Sequence, residues 1–277
     1  VINFEKTLKQ TVDAYGLMAK KALGQNFLLD QNVTDKIIRE SLEKQGLSSF
    51  EKQNVLEIGP GPGGLTRAIL KNQPAHLSVI EMDERCIEIM ESLKTQTGAD
   101  MDIFNLDALK FDVRTIKQKP VQIISNLPYN ISVPLLTGWL KNADVISAMT
   151  LMFQKEVADR ICALPQTKDY GRLSVLAQLV CDIKKLLTLS PQYFTPPPKI
   201  HSTVLLFFIR QNRPDKMLLE KVEKLTQLAF SGRRKMIRQS LKSIKNLEEI
   251  ALKSGVLMTS RAEEITPEQY LKMAENI

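Results

Sequence analysis

Residues 54–71 read NVLEIGPGPGGLTRAILK: a short apolar run, a glycine-rich loop and an apolar-periodic segment ending at Lys71. The run Asn54–Ile58 predicts a buried strand and Leu65–Lys71 a helix, so the glycines occupy a strand-to-helix turn. Gly59, Gly61 and Gly64 satisfy G-x-G-x-x-G, a spacing that brings backbone close to a dinucleotide. Alone, that spacing also suits a nucleoside without phosphates, or a plain turn. Three spaced glycines exceed what turning asks for. Pro60 and Pro62 have no N–H, which makes the loop a poor cradle for a pyrophosphate. Glu57 places a carboxylate beside the first glycine, where a cationic ligand is favoured. S-adenosylmethionine carries a sulfonium and an amino group but no phosphate, and it suits both features.

Outward from this loop, strand-like and helix-like runs alternate. His76–Glu81 predicts a second strand and Asp83–Lys94 a helix with apolar residues at 87, 90 and 93. Met101–Leu106, Val121–Ser125 and Ile146–Phe153 read as further strands, with a helix through Leu135, Leu136, Trp139 and Leu140 between the last two. Such alternation predicts a mostly parallel sheet with helices on both faces, the Rossmann-like arrangement of an α/β domain. A helix near Leu173–Cys181 precedes strands at Lys184–Leu189 and Thr203–Ile209, which flank a stiff proline-rich loop, Pro191–Lys199. After Arg210 the texture becomes helical. Residues 1–210 and 211–277 are therefore expected to form an α/β domain and a small all-helical C-terminal domain, joined by Gln211–Asp215. In the latter, Ile237, Leu241 and Ile244 form an apolar stripe, and Arg234, Arg238, Lys242 and Lys245 an adjacent basic one, on one expected helix. Thr266-Pro267 reads as the N-cap and first position of the last helix.

Composition narrows the function classes. The 277 residues are 43% hydrophobic and 25% charged, which fits a globular chain and not a disordered one. No apolar run reaches the ~20 residues that span a bilayer, and Val1–Lys21 does not read as a secretory signal. No membrane association is expected. Three cysteines without a C-x-x-C pair and two distant histidines, His76 and His201, predict neither disulfides nor a metal site, and fit the cytoplasm. The net charge of +7 is uneven. Residues 210–277 hold 14 Lys/Arg against 9 Asp/Glu, and seven basic residues with no acidic one fall between Lys224 and Leu247. A one-sign stretch of this length favours an anionic polymer as partner.

Two more acids follow predicted strands. Glu81, at the tip of the second, is placed to accept ribose hydroxyls; Asp107, after the third, is placed to accept from an adenine amine. Together with Glu57 they line up at the carboxyl ends of consecutive strands beside the glycine loop, which makes a site. The fourth strand runs into Asn126-Leu127-Pro128-Tyr129, which reads either as a turn or as chemistry. An exocyclic adenine amine is a poor nucleophile because its lone pair is delocalised. The Asn126 side-chain oxygen and the Leu127 carbonyl are suited to accept its two N–H bonds and aim the lone pair at a methyl donor. Pro128 shapes the backbone, and Tyr129 offers a face for the base.

With these motifs on view, the chain resembles the ribosomal RNA adenine dimethyltransferases nearly end to end. The resemblance runs through KKALGQNFL at 20–28, EIGPGPGGLT at 57–66, Glu81, Asp107-Ala108-Leu109 and NLPYN at 126–130. It continues through YGRLS at 170–174, Phe194 with Pro197-Pro198-Lys199, and Phe230 with Arg233-Arg234-Lys235. It implies a class I methyltransferase fold and methyl transfer from S-adenosylmethionine to N6 of two adjacent adenosines near the 3′ end of small-subunit ribosomal RNA. It also implies a role in small-subunit biogenesis, on a pre-30S-like particle, by a cytoplasmic monomer without a metal. By position, Asn26, Leu28, Gly59, Glu81, Asp107 and Asn126 are implied cofactor contacts. Asn126, Leu127, Pro128 and Tyr129 are the implied catalytic motif, and Phe194 the aromatic that sandwiches the adenine against Tyr129. Arg233, Arg234, Lys235 and Arg238 belong to the implied RNA-binding domain. Leu106 departs from the family, which commonly has Gly there. Two other functions stay open: a large-subunit methyltransferase of the antibiotic-resistance type, and a non-catalytic RNA- or DNA-binding assembly or transcription factor. The NLPYN motif and the basic C-terminal region speak against the first, and the intact Glu81, Asp107 and Asn126 against the second.

Overall fold

The computed structural model describes residues 2, 4–17, 26–232 and 234–277. Lys20–Gln25 of the N-terminal motif and Arg233 lie outside the described residues. The chain divides into two compact units. One comprises 1–136, 144–155 and 184–207, the other 137–143, 156–183 and 208–277. The break in texture at 210 thus marks where helices take over, but two earlier stretches also belong with the C-terminal helices.

In the first unit, α1 (Leu8–Ala14), β1 (Phe27–Leu28) and α2 (Gln31–Gln45) precede the alternating core. That core runs β2 (Asn54–Ile58), α3 (Gly64–Lys71), β3 (His76–Glu81), α4 (Glu84–Thr97), β4 (Met101–Asn105), β5 (Val121–Asn126), α5 (Tyr129–Leu140) and β6 (Ile146–Gln154). After two helices come β7 (Cys181–Leu189), β8 (Phe194–Thr195) and β9 (Ser202–Ile209). Seven strands form one sheet in the order β4-β3-β2-β5-β6-β9-β7, and β1 pairs antiparallel with β8. From β4 to β6 every neighbouring pair is parallel. The runs of β2, β3, β5 and β6 are buried almost without interruption, as a sheet covered on both faces requires, while the edge strand β4 is only partly buried. From β2 the chain moves outward to β3 and β4, then returns to place β5 on the other side of β2. That reversal opens a crevice at the carboxyl ends of β2 and β5, where α/β sheets bind ligands.

Two arginines pin the segment before β1. Arg67 of α3 is buried, donates to the Lys6 carbonyl at 2.6 Å and the Thr11 hydroxyl at 2.9 Å, and lies over the Phe4 ring. Arg85 of α4 donates to the Gly16 carbonyl at 3.2 Å. Among the described residues no helix is long and apolar enough to cross a membrane.

The second unit holds α6 (Lys155–Cys162) from residue 156 on, α7 (Arg172–Val180), α8 (Lys216–Phe230), α9 (Ile237–Ser240), α10 (Leu247–Lys253) and α11 (Pro267–Glu275). Its core explains why 156–183 belongs here: the Phe230 ring meets Tyr170 at 6.2 Å and Tyr270 at 6.1 Å. Both phenols are satisfied by backbone, Tyr170 on the Ile265 carbonyl and Tyr270 on that of Ala262. Thr266 caps α11 with Pro267 at its first turn, as its sequence predicts.

The basic helix face expected around 234–245 does not form. Met236 is extended and bridges to Arg261, α9 is a single turn, and Asn246 is left-handed. Ile237 and Leu241 are buried and Ile244 half-buried, so burial of the apolar positions sets the segment's path. A single turn meets that demand, and the stretch after it, Leu241–Asn246, turns instead of continuing a helix. Arg234 therefore precedes the helix and Lys242 and Lys245 follow it, although all three, with Lys235 and Arg238, are exposed.

Candidate active site

The glycine loop closes the floor of a cavity in the first unit, lined also by 26–28, 80–82, 106–109 and 126–131. Gly59 has φ +64°, a conformation L side chains rarely adopt, and its α-carbon faces the Pro128 ring. At Gly64 a β-carbon would lie 2.5 Å from the Leu28 carbonyl oxygen, so the close approach of β1 to the loop requires glycine. The N–H groups of residues 59–63 are accounted for. Gly59 donates to the Ile80 carbonyl at 2.8 Å, Gly61 to the Glu81 carboxylate at 3.2 Å and Gly63 to the Pro60 carbonyl at 3.0 Å. Pro60 and Pro62 have none to give. A pyrophosphate would find these five residues without a donor, which makes residues 59–63 a poor cradle for a dinucleotide.

The three acids converge as the strand order requires. The Glu81 carboxylate accepts from the N–H groups of Met82 at 2.7 Å and Asp83 at 2.9 Å besides that of Gly61. Burial pushes its pKa up, and the three backbone donors pull it down. A carboxylate has about four acceptor positions, so capacity remains for a hydroxyl. Asp83 is itself clamped by the Arg85 guanidinium at 2.6 and 3.0 Å. Asp107 accepts from the Leu109 N–H with Oδ1 at 2.9 Å. Leu106 keeps its backbone on β3, donating to the Glu81 carbonyl at 3.0 Å while its side chain lines the cavity. The departure from Gly is thus absorbed beside Asp107.

Glu57 is almost completely buried and accepts from the Thr66 hydroxyl at 2.7 Å. Burial raises its pKa from 4.5 to about 8, the Thr66 bond works against this, and nearby Glu81 adds to it. A raised carboxyl pKa means that the folded state holds the proton more tightly. Its stabilising contribution is complete below about 4.5 and is lost as pH climbs through about 8. Glu57→Gln, which retains an acceptor for Thr66, should therefore flatten the decline in melting temperature between about pH 5 and about pH 8. Thermal melts of both proteins across that range check this, and identical pH profiles would contradict it.

On the opposite wall, Asn126 at the end of β5 donates through Nδ2 to the Asn26 carbonyl at 3.2 Å. That bond orients the amide and leaves Oδ1 as its acceptor. The Pro128 and Tyr129 carbonyls are committed to the first turn of α5, accepting from the Ile131 N–H and the Ser132 hydroxyl. Leu127, Pro128 and Tyr129 all line the cavity, as do Asn26, Leu28, Gly59, Glu81 and Asp107.

Phe194 is not part of this wall. It is 3% exposed and does not line the cavity. As β8 pairs with β1, Phe194 stands opposite Leu28 and packs with it, Phe27 and Leu189 in the apolar core. In this structure only Tyr129 of the expected aromatic sandwich reaches the cavity. Arg234, Lys235 and Arg238 belong to the other unit, and Arg233 lies outside the described residues. Sequence reasoning passed over Met82 and Leu109, two half-exposed apolar side chains on the cavity lining. Their signal was an apolar residue one or two positions after each acid, fit to cover the faces of a planar base.

Comparison with known proteins points the same way. The family described as ribosomal RNA adenine dimethylase matches residues 16–277. Ribosomal RNA small subunit methyltransferase A of Rhodospirillum rubrum is 41% identical over 270 residues, 98% of this chain and 92% of its own. The protein of the same name from Cereibacter sphaeroides is 43% identical over 274 residues, 98% of this chain and 96% of its own. Among solved structures, a dimethyladenosine transferase from Plasmodium falciparum superposes with a TM-score of 0.72 at 23% identity, covering 88% of this chain and 94% of its own. The 23S rRNA methyltransferase ErmE gives 0.67 at 24%, covering 90% and 98%. At those identities the two structures speak for the fold alone.

Proposed function

As the chain belongs to the ribosomal RNA adenine dimethylase family, we propose that its cavity holds S-adenosylmethionine and an adenine together and that Asn126 aims the amine. The enzyme is an S-adenosylmethionine-dependent adenine methyltransferase of ribosomal RNA. It acts on N6 of two adjacent adenosines near the 3′ end of the small-subunit RNA, giving N6,N6-dimethyladenosine. The observation that carries the catalytic reading is the Asn126 tether, which commits an N–H of Nδ2 to the Asn26 carbonyl and keeps Oδ1 for an incoming donor.

The residues present fit the cofactor. Glu81 has acceptor capacity for a ribose hydroxyl, Asp107 stands beside the adenine position, Met82 and Leu109 offer apolar cover, and the loop denies phosphate. When bound, S-adenosylmethionine supplies an electrophilic methyl on a sulfonium whose departure leaves a neutral thioether. No Lewis acid is needed for that, so no metal belongs to the proposal. Asn126 Oδ1 and the Leu127 carbonyl accept the two amine N–H bonds and draw the nitrogen towards tetrahedral geometry, which takes its lone pair out of conjugation with the ring. Their hydrogen bonds strengthen as the amine becomes cationic, which is where the rate gain arises. Asn126 is neutral and takes no proton; water receives it afterwards. Tyr129 gives the base a stacking face, and leaving its stack costs the adenosine a few kcal/mol.

The partner is ribosomal RNA. Within that, we place a pre-30S-like small-subunit particle as substrate and a cytoplasmic monomer as the acting form. The 41–43% identity to small-subunit methyltransferases favours this over the large-subunit alternative. The intact Asn126 site favours catalysis over a purely binding role. Methyl transfer to adenosine N6, read by base mapping, tests the assignment.

We assign RNA docking to the exposed cations Arg234, Lys235 and Arg238, with Arg233 as a further candidate on sequence grounds. The nearby Lys242 and Lys245 add to the same anion-attracting field. Phosphate contacts give affinity and register more than sequence choice. Arg234→Ala/Arg238→Ala should weaken small-subunit binding and flatten its salt dependence by ~0.7–0.9 per lost contact. Binding of S-adenosylmethionine should be unchanged. Affinities measured across a salt series check this, and equal slopes for variant and wild type would place the phosphate grip elsewhere.

A further inference from the structure

The Tyr129 phenol meets the Ser202 hydroxyl at 2.6 Å, across 73 positions of sequence. Tyr129 lines the cavity at the start of α5. Ser202 is fully buried and is the first residue of β9. The start of β9 is itself held in place. The Lys155 N–H donates to the His201 carbonyl at 2.8 Å, and the Thr203 hydroxyl meets that of Thr188 at 3.3 Å. Burial pushes the Tyr129 phenol pKa up, with the Ser202 bond acting the other way, so the phenol keeps its proton and can donate. The ring is therefore held at its root by the Pro128-Tyr129 backbone and at its tip by Ser202. Rotational freedom that a stacking partner would otherwise have to remove is already gone.

We propose that Ser202 is a positioning residue for methyl transfer: it fixes the ring of Tyr129 so that the adenine stacks with its amine at Asn126. The proposal deepens the adenine-methylation reading and rests on it. Ser202 touches neither base nor cofactor. Its effect passes through one phenol, so it belongs to kcat and not to the binding of S-adenosylmethionine. With Phe194 buried, Tyr129 is the member of the expected aromatic pair that lines the cavity.

The test is a double-mutant cycle on labelled-methyl transfer to unmethylated small subunits, with wild type, Ser202→Ala, Tyr129→Phe and the double variant. Each single variant should lower kcat roughly tenfold, about the factor one hydrogen bond is worth, with KM for S-adenosylmethionine unchanged. The double variant should be no slower than either single one. Ser202→Cys keeps the volume but weakens the bond, and it should show most of the same loss should Ser202→Ala fold poorly in a thermal melt. Wild-type kcat in the Ser202 variants would overturn the proposal. So would losses that multiply in the double variant, because the phenol would then act without Ser202. Failure of the wild type itself to transfer methyl to adenosine would instead overturn the reading on which the proposal rests.

Discussion

Asn126→Ala should reduce methyl transfer by roughly 10²–10³ in kcat, the range for removing one preorganised transition-state hydrogen-bonding group. The adenine amine becomes nucleophilic only when its lone pair leaves the ring's conjugation, which acceptors on its N–H bonds favour. Oδ1 of Asn126 is the side-chain oxygen at the cavity fixed for that task, because Nδ2 is bound to the Asn26 carbonyl. Asn126→Asp is expected to be nearly as damaging. It keeps acceptor oxygens but loses the N–H, so a carboxylate faces the Asn26 carbonyl and the tether between them opens. Small-subunit affinity should persist in both variants, since phosphate contacts carry most of it. Single-turnover transfer with labelled methyl, alongside a binding measurement, separates the two quantities. Near-normal turnover in Asn126→Ala would remove the amine-aiming role.

Glu81→Ala should weaken S-adenosylmethionine by about 1.5–3 kcal/mol, the worth of a hydrogen bond to a charged group, or ten- to more than a hundredfold in Kd. Two losses combine. The ligand loses its hydroxyl acceptor, and the N–H groups of Gly61, Met82 and Asp83 lose theirs, so both the glycine loop and the turn after β3 relax. Glu81→Gln should lie between, because an amide matches some of these donors and repels another. Calorimetric titration of the two variants checks the ordering. NAD should not bind the wild type appreciably, since the N–H groups of Gly59, Gly61 and Gly63 are all spent there. Unaltered affinity in Glu81→Ala, or tight NAD binding, would contradict this account of the pocket.

The catalytic half of the molecule was legible because its signals are local. A strand that must be buried on both faces shows as a continuous apolar run, as in Val121–Ser125. The residue that ends it, Asn126, then falls at the crevice by geometry alone. Glu81 and Asp107 were found the same way. What escaped were features set by partners distant in sequence. Nothing in the proline-rich loop tells that Ser202 receives a phenol from Tyr129. Nothing around Phe194 tells that β8 pairs with β1 and turns that ring into the core. The three backbone donors on Glu81 were equally invisible, because they depend on the turn that follows it. The expected basic helix failed for another reason. Spacing of 234, 238, 242 and 245 suits a helix, but periodicity in so short a segment does not outweigh the bridge at Met236 and the left-handed Asn246. The boundary at 210 was a change of texture and not of packing, since Tyr170, far upstream of it, meets the Phe230 ring edge-on.

The most direct measurement offers the wild-type protein labelled S-adenosylmethionine with unmethylated small subunits and, separately, with large subunits, and maps the labelled bases. The expected result is label on small subunits alone, at N6 of two neighbouring adenosines near the 3′ end, proceeding to the dimethylated base. Label on a large-subunit adenosine, or no transfer to either particle, would contradict it.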